Sequence, residues 1–245
     1  MERPELYHGT DVRMIKMSEE ERQHFFDACN LVIESIFPFY VPLLQFVKEK
    51  VKIGNETVYV NTITVLQQKY EKILDEKGGP YTYLNLYEKL KMIEWRNNNA
   101  DLYQYQNLYL TSVKPKAFNY ARSSYAGCEL GLIAYQVIKG ADIIDLDNFQ
   151  PDKETKKAID FIKEFGKEGN GRPVIVTIKD YDERALTHGN GKPLDQQIVE
   201  LWHKKPEVDF IFRYNKVIDL TKCKIENVTE ELYKKMKEEY KDYPF

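Results

Sequence analysis

The chain has 245 residues, enough for one large domain or for a domain carrying a sizeable insertion. Apolar residues make up 42% and acids and bases are interspersed to a formal net charge of −3, which excludes a disordered chain and gives nucleic-acid binding no support from bulk charge. The opening residues lack an apolar signal core and no apolar run reaches the roughly 18 residues of a spanning helix, while Cys29, Cys128 and Cys223 show neither disulfide nor metal-ligand spacing, so a soluble, cytoplasmic protein without membrane or metal is expected.

A short strand is expected at Glu5–His8, ended by Gly9-Thr10. Ser18 and Glu21 have the spacing of a capping box, opening a helix over 19–36 with Phe25, Phe26, Cys29, Leu31, Val32 and Ile36 as its apolar stripe. Pro38 should stop it, and a second helical piece is expected over 41–50. Gly54-Asn55 between β-branched residues reads as a hairpin over 51–60. Helices follow over 62–75 and 83–95, separated by Gly78-Gly79-Pro80.

A Tyr- and Leu-rich stretch, 102–111, reads as a strand. Helices are expected over 114–126, 129–138 and 154–165. The run Pro173-Val-Ile-Val-Thr-Ile marks a strand over 172–179. A helix over 194–204, a strand over 209–220 with a break near Asn215, and a helix from Asn227 to about Tyr240 complete the order. The pattern is that of an α+β protein in which a helical block, roughly 18–97, is inserted between the first and second core strands of a single domain spanning 1–245.

Two segments carry residues suited to chemistry. In Leu6-Tyr7-His8-Gly9-Thr10, a glycine permits close approach to the backbone and a histidine offers a hydrogen-bonding ring. In Tyr109-Leu110-Thr111-Ser112, followed by Ala117-Phe118-Asn119-Tyr120-Ala121, two tyrosines lie eleven residues apart across a strand–turn–helix reversal. Such rings suit a sandwich around a planar heterocycle. An ordinary core role is open to each of these residues taken singly.

Together, His-Gly-Thr, Tyr-Leu-Thr-Ser and Ala-x-x-Tyr-Ala resemble the diphtheria-toxin-like and poly(ADP-ribose)-polymerase-like ADP-ribosyltransferases, the His-Tyr-Glu class. The Tyr109-to-Tyr120 spacing equals that of the polymerase-like pattern. Ala117 stands where those members carry a small hydroxyl residue. The resemblance implies a split antiparallel sheet and NAD as co-substrate. It implies NAD contacts from His8, Gly9, Thr10, Tyr109, Thr111, Ser112 and Tyr120, with His8 on the adenosine ribose and both tyrosines stacking on the nicotinamide. The catalytic set it implies is His8, Tyr109 and a late acid, Asp209 or Glu207. The expected activity is mono-ADP-ribosyl transfer to a protein or nucleic-acid acceptor. A non-catalytic NAD-binding module and an RNA 2′-phosphotransferase-like enzyme are the alternatives. The stretch 182–206 reads as a flexible loop and a helix beside the acid.

Overall fold

A computed structural model describes residues 3–41, 46–53, 56–63, 72–73, 76, 83–98, 108–123, 127–144, 146, 149–166, 171–189, 191–241 and 243. In chain order the elements are β1 (Leu6–Asp11), α1 (Val12–Lys16), α2 (Glu19–Tyr40), β2 (Phe46–Ile53), β3 (Glu56–Ile63), α3 (Tyr83–Asn98), β4 (Leu108–Thr111), α4 (Lys114–Ser123), α5 (Glu129–Ile144), α6 (Lys153–Phe165), β5 (Pro173–Ile178), β6 (Leu186–His188), α7 (Gln196–Lys204), β7 (Ile211–Tyr214), β8 (Lys224–Asn227) and α8 (Glu230–Glu239). The chain is α+β, and it divides into two compact units. One holds Met1–Phe26, Asn99–Leu132 and Phe165–Phe245. The other holds Asp27–Asn98 and Ile133–Glu164.

The first unit is built on a six-stranded sheet of order β6-β7-β4-β1-β5-β8, antiparallel at every junction. Alternation along each strand sends side chains to two faces. Leu6, Leu110, Val176, Ile178, Leu186, Phe212 and Tyr214 form a core on one face, closed by Tyr181 and the fully buried Trp202 of α7. On the other face Ile175 packs with Ala117 and Phe118 of α4 and Met236 of α8. Burying Met236 contributes roughly 1.5–3 kcal/mol. Helix α8 is further fixed by a parallel stack of Tyr233 on Phe118, centroids 5.6 Å apart, with the Arg122 guanidinium over both rings.

Among its described residues the second unit holds helices and the β2–β3 hairpin, paired from Phe46↔Ile63 to Ile53↔Glu56. Cys29, Val32, Ile33, Ile36, Leu90, Ile93, Ile133, Ala134 and Val137 are buried in it. The Tyr40 hydroxyl donates to the Val137 carbonyl at 2.8 Å.

Several sequence expectations hold. Ser18 and Glu21 make a reciprocal capping box, Glu21 N to Ser18 Oγ at 3.1 Å and Ser18 N to Glu21 Oε2 at 2.8 Å. The hairpin exists, although its strands are longer than 51–60 and Gly54-Asn55 lies outside the described residues. Others are corrected. β1 does not stop at Gly9-Thr10 but runs to Asp11, because β5 pairs with it throughout. α2 continues through Pro38 to Tyr40, held by burial of Phe37 and Tyr40 against the lost backbone bond. The helix expected over 41–50 is strand from Phe46 onward. Residues 62–63 of the helix expected over 62–75 belong to β3, and most of its remainder lies outside the described residues, as do 101–107 of the strand expected over 102–111.

The strand expected over 209–220 is shortened to Ile211–Tyr214 and ends at the break expected near Asn215, whose N–H makes one last bond along the β6–β7 ladder, to the Ala185 carbonyl. The last helix starts at Glu230 under a Thr229 cap, Leu232 N to Thr229 Oγ1 at 3.1 Å, and Asn227 belongs to the edge strand β8. Among the described residues no helix is long and apolar enough to cross a membrane, and no group of three or more His, Cys, Asp or Glu is placed to hold a metal.

Candidate functional site

The site residues belong to the first unit, and its geometry starts from β1. Pro173 has no N–H, so Asp11↔Pro173 is a non-hydrogen-bonded pair, and the next pair is closed by Val12 N donating to Arg172 O at 2.9 Å. Stepping back by two, Thr10, His8 and Leu6 direct their main chains toward β5. Tyr7 and Gly9 therefore direct theirs toward β4. Tyr7 meets Thr111 there, the registered pair of that junction. Regular continuation would pair Gly9 with Tyr109. Instead the Tyr109 carbonyl takes the His8 imidazole, Nδ1 to O 2.9 Å. No pair beyond Tyr7↔Thr111 is registered among the described residues, and the parity of the strand turns the Gly9 N–H and C=O to the β4 side.

Gly9 is required for a reason other than ligand approach. A Cβ built on it would lie 1.8 Å from the Ala117 carbonyl oxygen and 2.8 Å from the Ala121 nitrogen, so α4 rests directly on the strand backbone. The glycine's vacant side is filled by a helix and its main-chain edge faces the opening. The strand continues past it.

His8 is pushed below the ordinary imidazole pKa by burial, opposed in part by the Tyr109 carbonyl. A carbonyl only accepts, so Nδ1 carries the proton and Nε2 presents a lone pair. A neutral His8 thus accepts from a hydroxyl. Thr10 is buried and its hydroxyl donates to the Gly127 carbonyl at 3.2 Å, pinning the α4–α5 connection to the end of β1. Gly127 is itself in the left-handed region at φ 70°.

Asp209 lies just before β7. Its Oδ1 accepts from Thr111 Oγ1 at 3.1 Å and its Oδ2 from Lys116 Nζ at 2.6 Å. Ser112 stitches the same place, Oγ donating to Val208 O at 2.6 Å and accepting from Phe210 N at 2.7 Å. Thr10, Thr111 and Ser112 thus spend their hydroxyls inside the protein, Thr111 on the acid itself and Ser112 on the main chain either side of it. Glu207 is exposed in the preceding turn, and β7 does not extend back to it.

Tyr120 on α4 is 46% exposed. Burial of the rest of its ring raises its hydroxyl's pKa, helped by the negative charges of Glu129 and Asp209 and by Tyr109. Tyr109 and Asp209 lie on the face of the sheet that Gly9 turns to α4, and Tyr120 stands on that helix one turn after Lys116, which holds Asp209. Arg213 and Thr187 continue that face, in register with Tyr109 through β7 and β6.

Lys116, which holds Asp209, is a member of this neighbourhood that sequence reading did not single out. Lys116 was detectable, because it precedes Tyr120 by four residues and so shares its side of the helix. Compared with protein-family models, with curated proteins and with solved structures, the chain matches none of them.

Proposed function

We propose that the chain binds NAD at the opening between β1 and β4 and transfers single ADP-ribose units to a protein or nucleic-acid acceptor. One observation carries the reading. A glycine main-chain edge, two tyrosines eleven residues apart and an anchored carboxylate converge beside strands that part after a single registered pair. The Gly9 N–H and C=O suit a carboxamide, which offers one acceptor and one donor set. Tyr109 and Tyr120 suit a flat pyridine ring. Cleaving the nicotinamide–ribose bond builds positive charge on the sugar, as in glycoside hydrolysis. Asp209 is the carboxylate placed to stabilise that charge and to orient a nucleophile. Lys116 and Thr111 fix its direction before any ligand arrives. His8 would accept a ribose hydroxyl at Nε2.

One feature favours a second reading, a binding module without turnover. Asp209 is one methylene shorter than the glutamate of the resembled class and is held by Lys116 at 2.6 Å.

The test is incubation with NAD labelled on the adenylate, alone and with a cell lysate, following nicotinamide release and label transfer. Asp209→Ala should abolish release, by 100-fold or more, while Glu207→Ala should leave it intact. Equal release in both variants would remove Asp209 from the mechanism. Binding without release in the wild type would select the module. Unchanged NAD affinity in both Tyr109→Ala and Tyr120→Ala would sink the NAD reading altogether.

A further inference from the structure

The two ends of the six-stranded sheet are finished differently. At one end β6 is closed on its outer side by its own loop. Thr187 bridges to Pro193, and His188 N donates to Lys192 O at 2.8 Å. A proline in that outermost position blunts the edge. At the other end β8 is the terminal strand, and among the described residues its outer side meets no further strand. Parity fixes what it presents there. Val228 N donates to Pro173 O at 2.9 Å, so Val228, Glu226 and Lys224 direct their main chains inward to β5. Ile225 and Asn227 therefore direct their N–H and C=O outward. The Ile225 side chain is itself 44% exposed, and Lys224 and Glu226 stand on the opposite face of the strand.

We propose that β8 pairs with β8 of a second copy of the chain, antiparallel and with Ile225 on the two-fold axis, joining two six-stranded sheets edge to edge. The strand is self-complementary in that register. Residues equally far from Ile225 come opposite one another, so Lys224 faces Glu226 of the second copy and Glu226 faces its Lys224. Ile225 meets its own counterpart as a hydrogen-bonded pair, which uses the outward N–H and C=O and covers the exposed side chain. Asn227 meets the extended Cys223 in the same way. A slip that centres Lys224 or Glu226 instead sets that charge against itself. Glu226 is oriented by Lys114 at 2.7 Å, and the Lys224 side chain, 67% exposed, is free to swing from its own Glu226 to that of the second copy. Four residues a side make a weak, concentration-dependent pair. β5 separates β8 from β1, so dimerisation leaves the β1–β4 opening alone and does not depend on NAD.

The full chain is followed by sedimentation velocity over a roughly hundred-fold range of concentration, and conversion from monomer to dimer is expected. Ile225→Pro removes the outward N–H and spares the β5–β8 bonds, so it should hold the chain monomeric with little change in the urea midpoint. Lys224→Glu sets carboxylate against carboxylate at both symmetric positions and should weaken dimerisation about ten-fold. The register is read by mild oxidation of Ile225→Cys. Hydrogen-bonded partners across antiparallel strands lie about 5.5 Å apart at Cα, within disulfide reach. A covalent dimer linked at position 225 of both chains, located by mass spectrometry, should form well ahead of any dimer from Val217→Cys, a 96% exposed position outside β8. A chain that stays monomeric throughout overturns the proposal. So does a dimer that Ile225→Pro and Lys224→Glu both leave intact, or one that links no faster through position 225 than through position 217.

Discussion

The two edges of β1 are treated in opposite ways. Toward β5 it is paired residue for residue from Leu6 to Asp11, whereas toward β4 the register is held at Tyr7↔Thr111. The closed edge supplies rigidity. The open edge keeps main-chain donors and acceptors available beside two tyrosines and an acid. Past that pair the His8 imidazole bonds the Tyr109 carbonyl, the group a continued ladder would use. The proposed site thus rests on a helix clamped over one strand and a ring bonded to the next.

The clamp gives the largest expected effect. Gly9→Ala places a methyl 1.8 Å from a backbone oxygen of α4, which no rotamer change relieves. The variant should lose about 3 kcal/mol or more in urea denaturation. Gly189→Ala is the contrast, since its Cβ meets nothing nearer than 3.4 Å and should stay within about 0.5 kcal/mol. A Gly9→Ala chain as stable as the wild type would mean that α4 does not rest on β1.

Next comes the attachment of α8. Tyr233→Ala removes the ring stacked on Phe118 and the partner of Arg122 and Lys237, and should cost about 2 kcal/mol by the same measurement. A Tyr233→Ala chain as stable as the wild type would mean that the stack does not hold α8 on α4.

Smaller still is the effect of releasing the acid. Lys116→Met keeps the length of the stem and removes the charge that holds Asp209. Nicotinamide release should fall roughly 10-fold through lost positioning, with affinity little changed and partial recovery in Lys116→Arg. A fall in affinity with unchanged turnover would make Lys116 a ligand contact instead.

How much of this was legible follows from the range of the forces involved. The strand at 173–178 announced itself as a continuous apolar run, and the Ser18–Glu21 cap through local hydrogen-bond chemistry. The edge strands Leu186–His188 and Lys224–Asn227 were not legible, being three and four residues long and defined by their neighbours. Residues 46–50 show why short apolar stretches mislead, since their pattern suits either period and pairing with 59–63 decides. In the site, the Tyr109–Tyr120 spacing is local and was visible. The hydroxyl of Thr111 donates to Asp209, 98 residues away in sequence. No spacing rule reports such a contact.

The wedge at the open edge is tested by pH, with the smallest expected effect. Burial lowers the His8 pKa in the folded chain, while the unfolded chain keeps the ordinary value near 6.5. Above that value both states are neutral and the contribution is fully present. As pH falls through it, the unfolded state takes up the proton first, so stability is lost toward the depressed folded value. His8→Asn retains a short amide donor for the Tyr109 carbonyl and cannot titrate. The stability difference between wild type and His8→Asn should therefore be flat from pH 8 to 7 and turn against the wild type between pH 6.5 and 5. A difference that stays constant over that range would mean that His8 titrates alike folded and unfolded, and that the ring is not the buried neutral wedge between β1 and β4.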